Sequence, residues 1–135
     1  MEYKFSRLPQ FFNPKILSEA KVVVVDHSPV PPLTSMGLDG FWGFEHGNYA
    51  GITYKDTYFI RASEAWNESL HFHELVHVVQ WKILGVEKFL RQYAFGILTC
   101  GYYDSPLEEM ARDFQADFDR GIRPFDVGYV LTQKL

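Results

Sequence analysis

The sequence predicts an α+β fold in which a small mixed or antiparallel sheet packs on one central helix, accompanied by two further helices. Three observations support this prediction. Residues 21–26 contain an apolar run typical of a buried strand, and residues 51–62 alternate around Lys55 and Asp56 as a hairpin does. Over residues 67–84, apolar side chains occupy nearly every side of a helical projection, which places that helix at the centre of the fold.

Length and composition restrict the class of protein. The chain has 135 residues, 47% of them hydrophobic and 17% aromatic, so we expect residues 1–135 to form a single domain with a substantial core. The net charge of −4, with acidic and basic residues interspersed, argues against nucleic acid as a partner. The single cysteine, Cys100, excludes an internal disulfide and a cysteine-based zinc site, and we expect it to be buried near a helix end.

Targeting signals are absent from the sequence as it stands. The first residues contain no apolar segment long enough for a signal peptide, and no apolar run reaches membrane-spanning length. We therefore expect a cytoplasmic location and no membrane partner, although export by a dedicated machine would leave no such signal. Nothing in the sequence indicates an oligomeric state.

The elements before the central helix follow from local signals. Asn13 and Pro14 form an N-cap and first-turn pair, which predicts a short helix over residues 15–20. Residues 33–49, rich in glycine and aromatics, predict a packed loop over a cleft or core padding; a lone loop histidine such as His46 is more often surface or hydrogen-bonded than catalytic. The second hairpin strand immediately precedes the central helix, so we expect it to be an edge strand to which an extended peptide could pair.

The elements after the central helix begin at Gly85, a natural left-handed cap. A second helix is predicted over residues 86–99 and a loop over residues 101–104. A third helix is predicted over residues 105–121, with a serine as N-cap and a proline in the first turn. From residue 122 onward we expect a tail that lies over the body, and the sequence does not indicate its conformation.

The central helix carries the pattern H-E-x-x-H at His73, Glu74 and His77. The two histidines are one turn apart on one face, so both imidazoles can bind one tetrahedral ion, and Glu74 can act on a metal-bound water without binding the metal. Two buried, hydrogen-bonded histidines are the alternative, but so many polar groups on an apolar helix are costly to bury without a partner. The pattern therefore predicts that His73 and His77 bind Zn²⁺. His71 lies about 200° round the helix from His73, so we do not expect it to be a ligand.

A third ligand is expected from the carboxylates of the third helix: Glu108, Glu109, Asp113 and Asp117. At about 100° per residue, Glu108 lies on the flank of that helix's apolar face, while Glu109 and Asp113 point to water. Asp117 has an acceptable phase but a shorter side chain, further along the helix. Glu108 is thus the best-placed ligand. Alternatively, Ser105 to Glu108 forms a capping box in which Glu108 accepts a hydrogen bond from the Ser105 amide.

The order of strand, hairpin, H-E-x-x-H helix, helix and carboxylate-bearing helix resembles the zincin metallopeptidases, and a glutamate as third ligand resembles their gluzincin branch. The chain is similar to short single-domain zincin-like metallopeptidases in which H-E-L-x-H-V-x-Q is followed by P-L-E or P-Y-E; here these are residues 73–80 and 106–108. The likeness covers roughly residues 50–118.

The resemblance implies a minimal zincin-like domain in which His73, His77 and Glu108 bind zinc and Glu74 is the general base. The sequence also departs from the family pattern. No third histidine follows in the extended zinc motif, and Arg112 stands where many glutamate-type zincins carry an aspartate.

Two functions are compatible with these features. The first is a zinc-dependent endopeptidase whose partner is a peptide or protein substrate. The second is a non-catalytic or vestigial zincin-fold module that binds zinc or serves as a scaffold. Glu74 discriminates between them, because hydrolysis needs a base beside the first histidine and a structural zinc does not. The residue that would stabilise the oxyanion stays open among Tyr93, Tyr102, Tyr103, His46 and His71.

Overall fold

The computed structural model describes residues 6–26 and 50–135, which form the predicted α+β fold around a three-stranded mixed sheet. The helices are α1 (Pro14–Glu19), α2 (Glu68–Leu84), α3 (Val86–Asp104), α4 (Pro106–Asp119) and α5 (Val127–Lys134). The strands are β1 (Lys21–Val25), β2 (Gly51–Tyr54) and β3 (Thr57–Arg61), and two 3₁₀ turns, Leu8–Gln10 and Ala62–Glu64, precede α1 and α2. The loop predicted over residues 33–49, with His46, lies outside the described residues.

The sheet has the order β1-β3-β2, with β1 parallel and β2 antiparallel to β3. The hairpin of β2 and β3 turns at Lys55 and Asp56, as predicted. The expectation that the second hairpin strand is an edge strand was wrong, because β3 is the central strand. Tyr58 and Ile60 of β3 are fully buried, and a strand that buries this much apolar surface is best placed between two neighbours. Among the described strands, β2 and β1 form the edges.

Helix α2 occupies the centre of the fold, as its apolar pattern predicts. Every residue from His71 to Trp81 is buried, which requires neighbours on all sides of the helix. Asn67 caps its N-terminus by accepting a hydrogen bond from the Leu70 amide at 3.4 Å. Gly85 ends it with φ +80°, a conformation that glycine adopts without strain.

The helices after α2 agree with the sequence in part. Helix α4 begins at Pro106 with Ser105 in the N-cap position, close to the predicted start. Helix α3 extends to Asp104, but its helical geometry breaks at Gly101 (φ +81°), where the sequence predicts the loop to start. Helix α5 was not predicted; it begins where the Asp126 carboxylate accepts from the Tyr129 amide at 3.0 Å, a cap that was overlooked.

The outer face of α3 corrects one expectation. Cys100 is exposed, not buried, because α3 turns only its inner face, with Phe89 and Ile97, toward the rest of the protein. No helix within residues 6–26 and 50–135 is long and apolar enough to cross a lipid bilayer.

The main core joins α2 to α4 through aromatic rings. Phe72 and Phe118 stack with ring centroids 4.5 Å apart, and Phe11 packs edge-on against both. Because Phe72 adjoins His73 in α2 and Phe118 lies on α4, this contact sets the distance between the two helices that carry the predicted site.

We expect Phe72→Ala to lower the free energy of unfolding by about 3–5 kcal/mol, since it removes a fully buried ring and leaves a cavity. Phe95→Ala is the matched control, because Phe95 is 68% exposed on α3 and its loss should change the stability by no more than about 0.5 kcal/mol. Chemical denaturation followed by circular dichroism measures both values. Equal losses for the two variants would contradict the core assignment.

Candidate metal centre

Two imidazoles converge on the α4 side of α2. His73 and His77 are buried, and one helical turn separates them, so their rings lie edge to face with centroids 4.9 Å apart. Their Nε2 atoms are 3.2 Å from each other. The H-E-x-x-H spacing therefore brings the two Nε2 atoms to one point, as predicted.

Helix α4 supplies the carboxylate. Glu108 lies in its first turn and is 2% exposed, with Oε1 3.1 Å from His73 Nε2 and Oε2 2.8 Å from His77 Nε2. His73, His77 and Glu108 each offer a ligand atom, and these atoms all lie within 4.8 Å of one another. The three residues that the sequence proposes as ligands are thus together in one buried cluster that could hold a metal ion.

The alternatives for Glu108 do not match the structure. The Ser105 amide donates to the Tyr102 carbonyl oxygen at 3.3 Å, so the predicted capping box is absent and Glu108 faces the histidines. Of the other carboxylates on α4, Glu109 and Asp113 are exposed, and Asp117 pairs with Arg120. Helical phase, together with the shorter side chain and more distant position of Asp117, therefore selected the carboxylate that reaches the imidazoles.

A glutamine side chain accepts a hydrogen bond from the far side of each imidazole. His73 Nδ1 lies 2.9 Å from Oε1 of Gln115, and His77 Nδ1 lies 2.7 Å from Oε1 of Gln80. Gln80 also donates from Nε2 to the Leu107 carbonyl oxygen at 3.1 Å, which fixes the orientation of its amide. Both Nδ1 atoms are therefore donors, and a neutral ring then presents a lone pair at Nε2. Sequence reasoning missed Gln115 entirely and gave Gln80 no role.

With both Nδ1 atoms as donors and both Nε2 atoms as acceptors, the cluster requires a positive charge between the ligands. Two Nε2 lone pairs and a carboxylate would otherwise face each other at about 3 Å in a buried site, where unpaired polar atoms are costly. In a tetrahedral zinc site with ligand distances of about 2.0–2.1 Å, ligand atoms lie about 3.3 Å apart. Here the two Nε2 atoms are 3.2 Å apart, and each lies within 3.1 Å of a different oxygen of the Glu108 carboxylate. The donor set and its dimensions fit a small divalent cation.

Without a metal, a proton serves as that charge. Burial lowers the pKa of His77, but the charge and hydrogen bond of Glu108 outweigh it and raise this pKa to about 9. Burial would raise the pKa of Glu108, yet the two imidazoles hold it well below its usual range. The cluster therefore favours an imidazolium beside a carboxylate when no ion is bound.

Glu74 lies beside the cluster without belonging to it. Its carboxylate is buried, and Oε2 lies 3.9 Å from His73 Nε2. The Thr53 hydroxyl of β2 lies 2.9 Å from Oε1, a contact that sequence reasoning did not find. Burial raises the pKa of Glu74, and the neighbouring imidazoles reduce that rise. Glu74 is thus a carboxylate with an elevated pKa next to the possible metal site.

The candidates for an oxyanion donor are placed differently. Tyr93 of α3 donates from its hydroxyl to Glu108 Oε2 at 2.8 Å, and burial and that carboxylate raise its pKa well above 10, so it stays protonated. Tyr103 is exposed beneath the Arg112 guanidinium. His71 points away from the cluster, as predicted, and its ring lies between the Tyr58 hydroxyl and a backbone carbonyl.

The metal-free protein should lose stability as the pH rises from 6.5 to about 9. The folded state raises the pKa of His77 from 6.5 to about 9, so the stabilisation is complete below pH 6.5 and is lost as the imidazolium deprotonates. Thermal melting in the presence of a chelator measures this loss. His77→Gln should show a flatter profile over the same pH interval, and parallel profiles for the two proteins would contradict the pairing.

Comparisons with known proteins place no constraint on the function of this centre. No protein-family model, no curated protein and no solved structure shows a significant match to the chain. The residues and geometry of the cluster therefore carry the functional argument.

Proposed function

We propose that the chain is a zinc-dependent peptidase of the zincin type, with His73, His77 and Glu108 as ligands and Glu74 as general base. The observation that carries this proposal is the position of Glu74. A buried carboxylate lies next to a His/His/Glu cluster without contributing to it, which is the arrangement that metal-assisted hydrolysis needs.

The types of ligand support a catalytic rather than a structural ion. Within residues 6–26 and 50–135, the cluster that could hold a metal contains His73, His77 and Glu108 alone. Structural zinc sites are built mostly from cysteine, with or without histidine, whereas sets of histidine and glutamate occur in catalytic sites. The two histidines and one glutamate of this cluster match the second kind.

The chemistry assigns separate tasks to the two carboxylates. Zinc bound at the cluster would supply Lewis acidity for the scissile carbonyl and lower the pKa of its water to about 7. Glu74 accepts the proton of the attacking water and transfers it to the leaving amine, and its raised pKa suits a group that must hold a proton. The Thr53 hydroxyl keeps the Glu74 carboxylate in place. Tyr93 supports Glu108 and provides a protonated hydroxyl at the centre.

The substrate in this proposal is an extended peptide or protein segment. Strand β2 lies at an edge of the described sheet, and its Thr53 contacts Glu74 directly. A peptide that pairs with β2 through main-chain hydrogen bonds would bring a peptide bond past the base. This assigns to β2 the substrate edge that the sequence suggested for β3.

A non-catalytic zinc module is the second candidate, and the burial of all four site residues favours it. His73, Glu74, His77 and Glu108 are each at most 8% exposed. A purely structural site, however, gains nothing from a buried glutamate outside the ligand set. The two candidates therefore differ in what happens when Glu74 loses its charge.

The purified protein should bind about one zinc per chain, as a single mononuclear site requires. Glu108→Ala should weaken zinc binding by orders of magnitude, because the ion loses its carboxylate. Glu109→Ala, on the exposed side of the same turn, is the matched control and should have little effect. A competitive zinc titration measures both. A larger loss for Glu109→Ala than for Glu108→Ala would overturn the ligand assignment.

Glu74→Gln should retain zinc and the fold but lower peptidase activity by about 10²–10⁴-fold, since only proton transfer is removed. Cleavage of an unstructured protein, with and without chelator, measures the effect, and Glu109→Gln should cleave like the wild type. If Glu74→Gln cleaves as fast as the wild type, Glu74 is not the base. A zinc-loaded wild type that cleaves nothing would favour the scaffold function.

A further inference from the structure

The outer partners of both histidines are neutral amides that also join α2 to α4. Gln115 belongs to α4 and contacts His73 of α2, whereas Gln80 belongs to α2 and contacts Leu107 of α4. Each glutamine therefore bridges the two helices that supply the ligands. Neither is a candidate ligand, and the catalytic scheme above uses neither.

The Gln115 bridge is a chain of hydrogen bonds that all run in one direction. His73 Nδ1 donates to Gln115 Oε1 at 2.9 Å, and Gln115 Nε2 donates to the Ser69 hydroxyl oxygen at 2.8 Å. The Ser69 hydroxyl then donates to Asp119 Oδ2 at 3.0 Å, at the protein surface. Because the Asp119 carboxylate only accepts, the chain fixes the orientation of the Gln115 amide and leaves its oxygen facing His73.

The Gln80 bridge ends inside the protein. The side chain is fully buried, accepts from His77 Nδ1 at 2.7 Å and donates to the Leu107 carbonyl oxygen at 3.1 Å. Leu107 immediately precedes Glu108. One amide therefore sets the direction of the second imidazole and holds the first turn of α4, from which the carboxylate extends.

A neutral partner also suits the charge of the site. Two positive charges of a divalent ion balance the negative charges of Glu108 and Glu74, so that neutral histidines leave the buried site with no net charge. Carboxylates in place of Gln80 and Gln115 would each add an uncompensated negative charge, which is costly in a buried environment. An amide oxygen orients the imidazole without adding charge.

We propose that Gln80 and Gln115 are positioning residues that hold both imidazoles with Nε2 toward the ion and keep α4 in register with α2. Outer partners of this kind fix the tautomer and the direction of a histidine ligand, and removing one typically reduces metal affinity by about 10–100-fold. The inference rests on the metal binding of the proposed function, but not on its peptidase activity.

Gln115→Met tests this proposal, since it preserves the length of the side chain and removes the acceptor. We expect zinc to bind about 10–100-fold more weakly in a competitive titration. Gln115→Glu retains an acceptor for His73 but adds an uncompensated negative charge, so its zinc affinity should recover only in part and lie between those of Gln115→Met and the wild type. Gln92→Met, on the exposed surface of α3, is the matched control and should leave affinity unchanged.

A spectroscopic measurement separates positioning from a general loss of structure. In nitrogen–proton correlation spectra of the zinc-loaded wild type, both histidines should carry their proton on Nδ1. Gln115→Met should perturb the signal of His73 and preserve that of His77. Gln80→Met should do the reverse.

Ser69→Ala provides a milder test, because it removes the anchor of the Gln115 amide without touching His73. It should weaken zinc binding in the same direction, by less than Gln115→Met, and it decides the question if Gln115→Met fails to fold. Unchanged zinc affinity in Gln115→Met and Ser69→Ala would overturn the inference and leave the proposed function intact. A wild type that binds zinc but cleaves no peptide would overturn the proposed function and leave the inference intact.

Discussion

The mutual approach of two imidazole nitrogens and one carboxylate between α2 and α4 is the constraint on which this structure depends. Three acceptor groups within about 3 Å of one another repel unless a positive charge lies among them, and their burial leaves little water to screen them. The remaining features either bring these groups together or compensate for their charge. A proton on His77 can compensate for this charge in the metal-free protein, and a bound cation would do so in its place.

Apolar packing and hydrogen bonds contribute differently to the placement of α4 against α2. The stacked rings of Phe72 and Phe118 hold α2 and α4 at a fixed distance, but such contacts tolerate small slides of one helix along the other. The hydrogen bonds that Gln80 donates to Leu107 and that Gln115 accepts from His73 do not tolerate such a slide, because a shift of about one ångström breaks them. The core thus supplies most of the attraction between the helices, whereas the amides set their register and with it the position of Glu108.

The features that could be predicted from the sequence depend on residues close together in the chain. The cap at Asn13 depends on a residue three positions along the chain, and the phase of Glu108 depends on its own helix, so both predictions agree with the structure. The contact of Gln115 with His73 spans 42 residues and no periodicity indicates it. The prediction that β3 is an edge strand was wrong for the same reason, since strand order depends on packing between distant segments and not on adjacency to α2. Helix α5 is the exception: Asp126 was a local cap, and it was overlooked.

The two site carboxylates show how one fold can give the same chemical group two roles. Glu108 faces both imidazoles, which hold its pKa well below the usual range and keep it charged as a ligand must be. Glu74 is just as buried and, among the described residues, accepts from the Thr53 hydroxyl at 2.9 Å; burial has the largest effect on its pKa and raises it. When two carboxylates lie in environments that shift their pKa values apart, one stays charged and the other can take up and release a proton. Here the separation follows from helix geometry, because the residue after His73 must face the sheet while the flank of α4 must face the histidines.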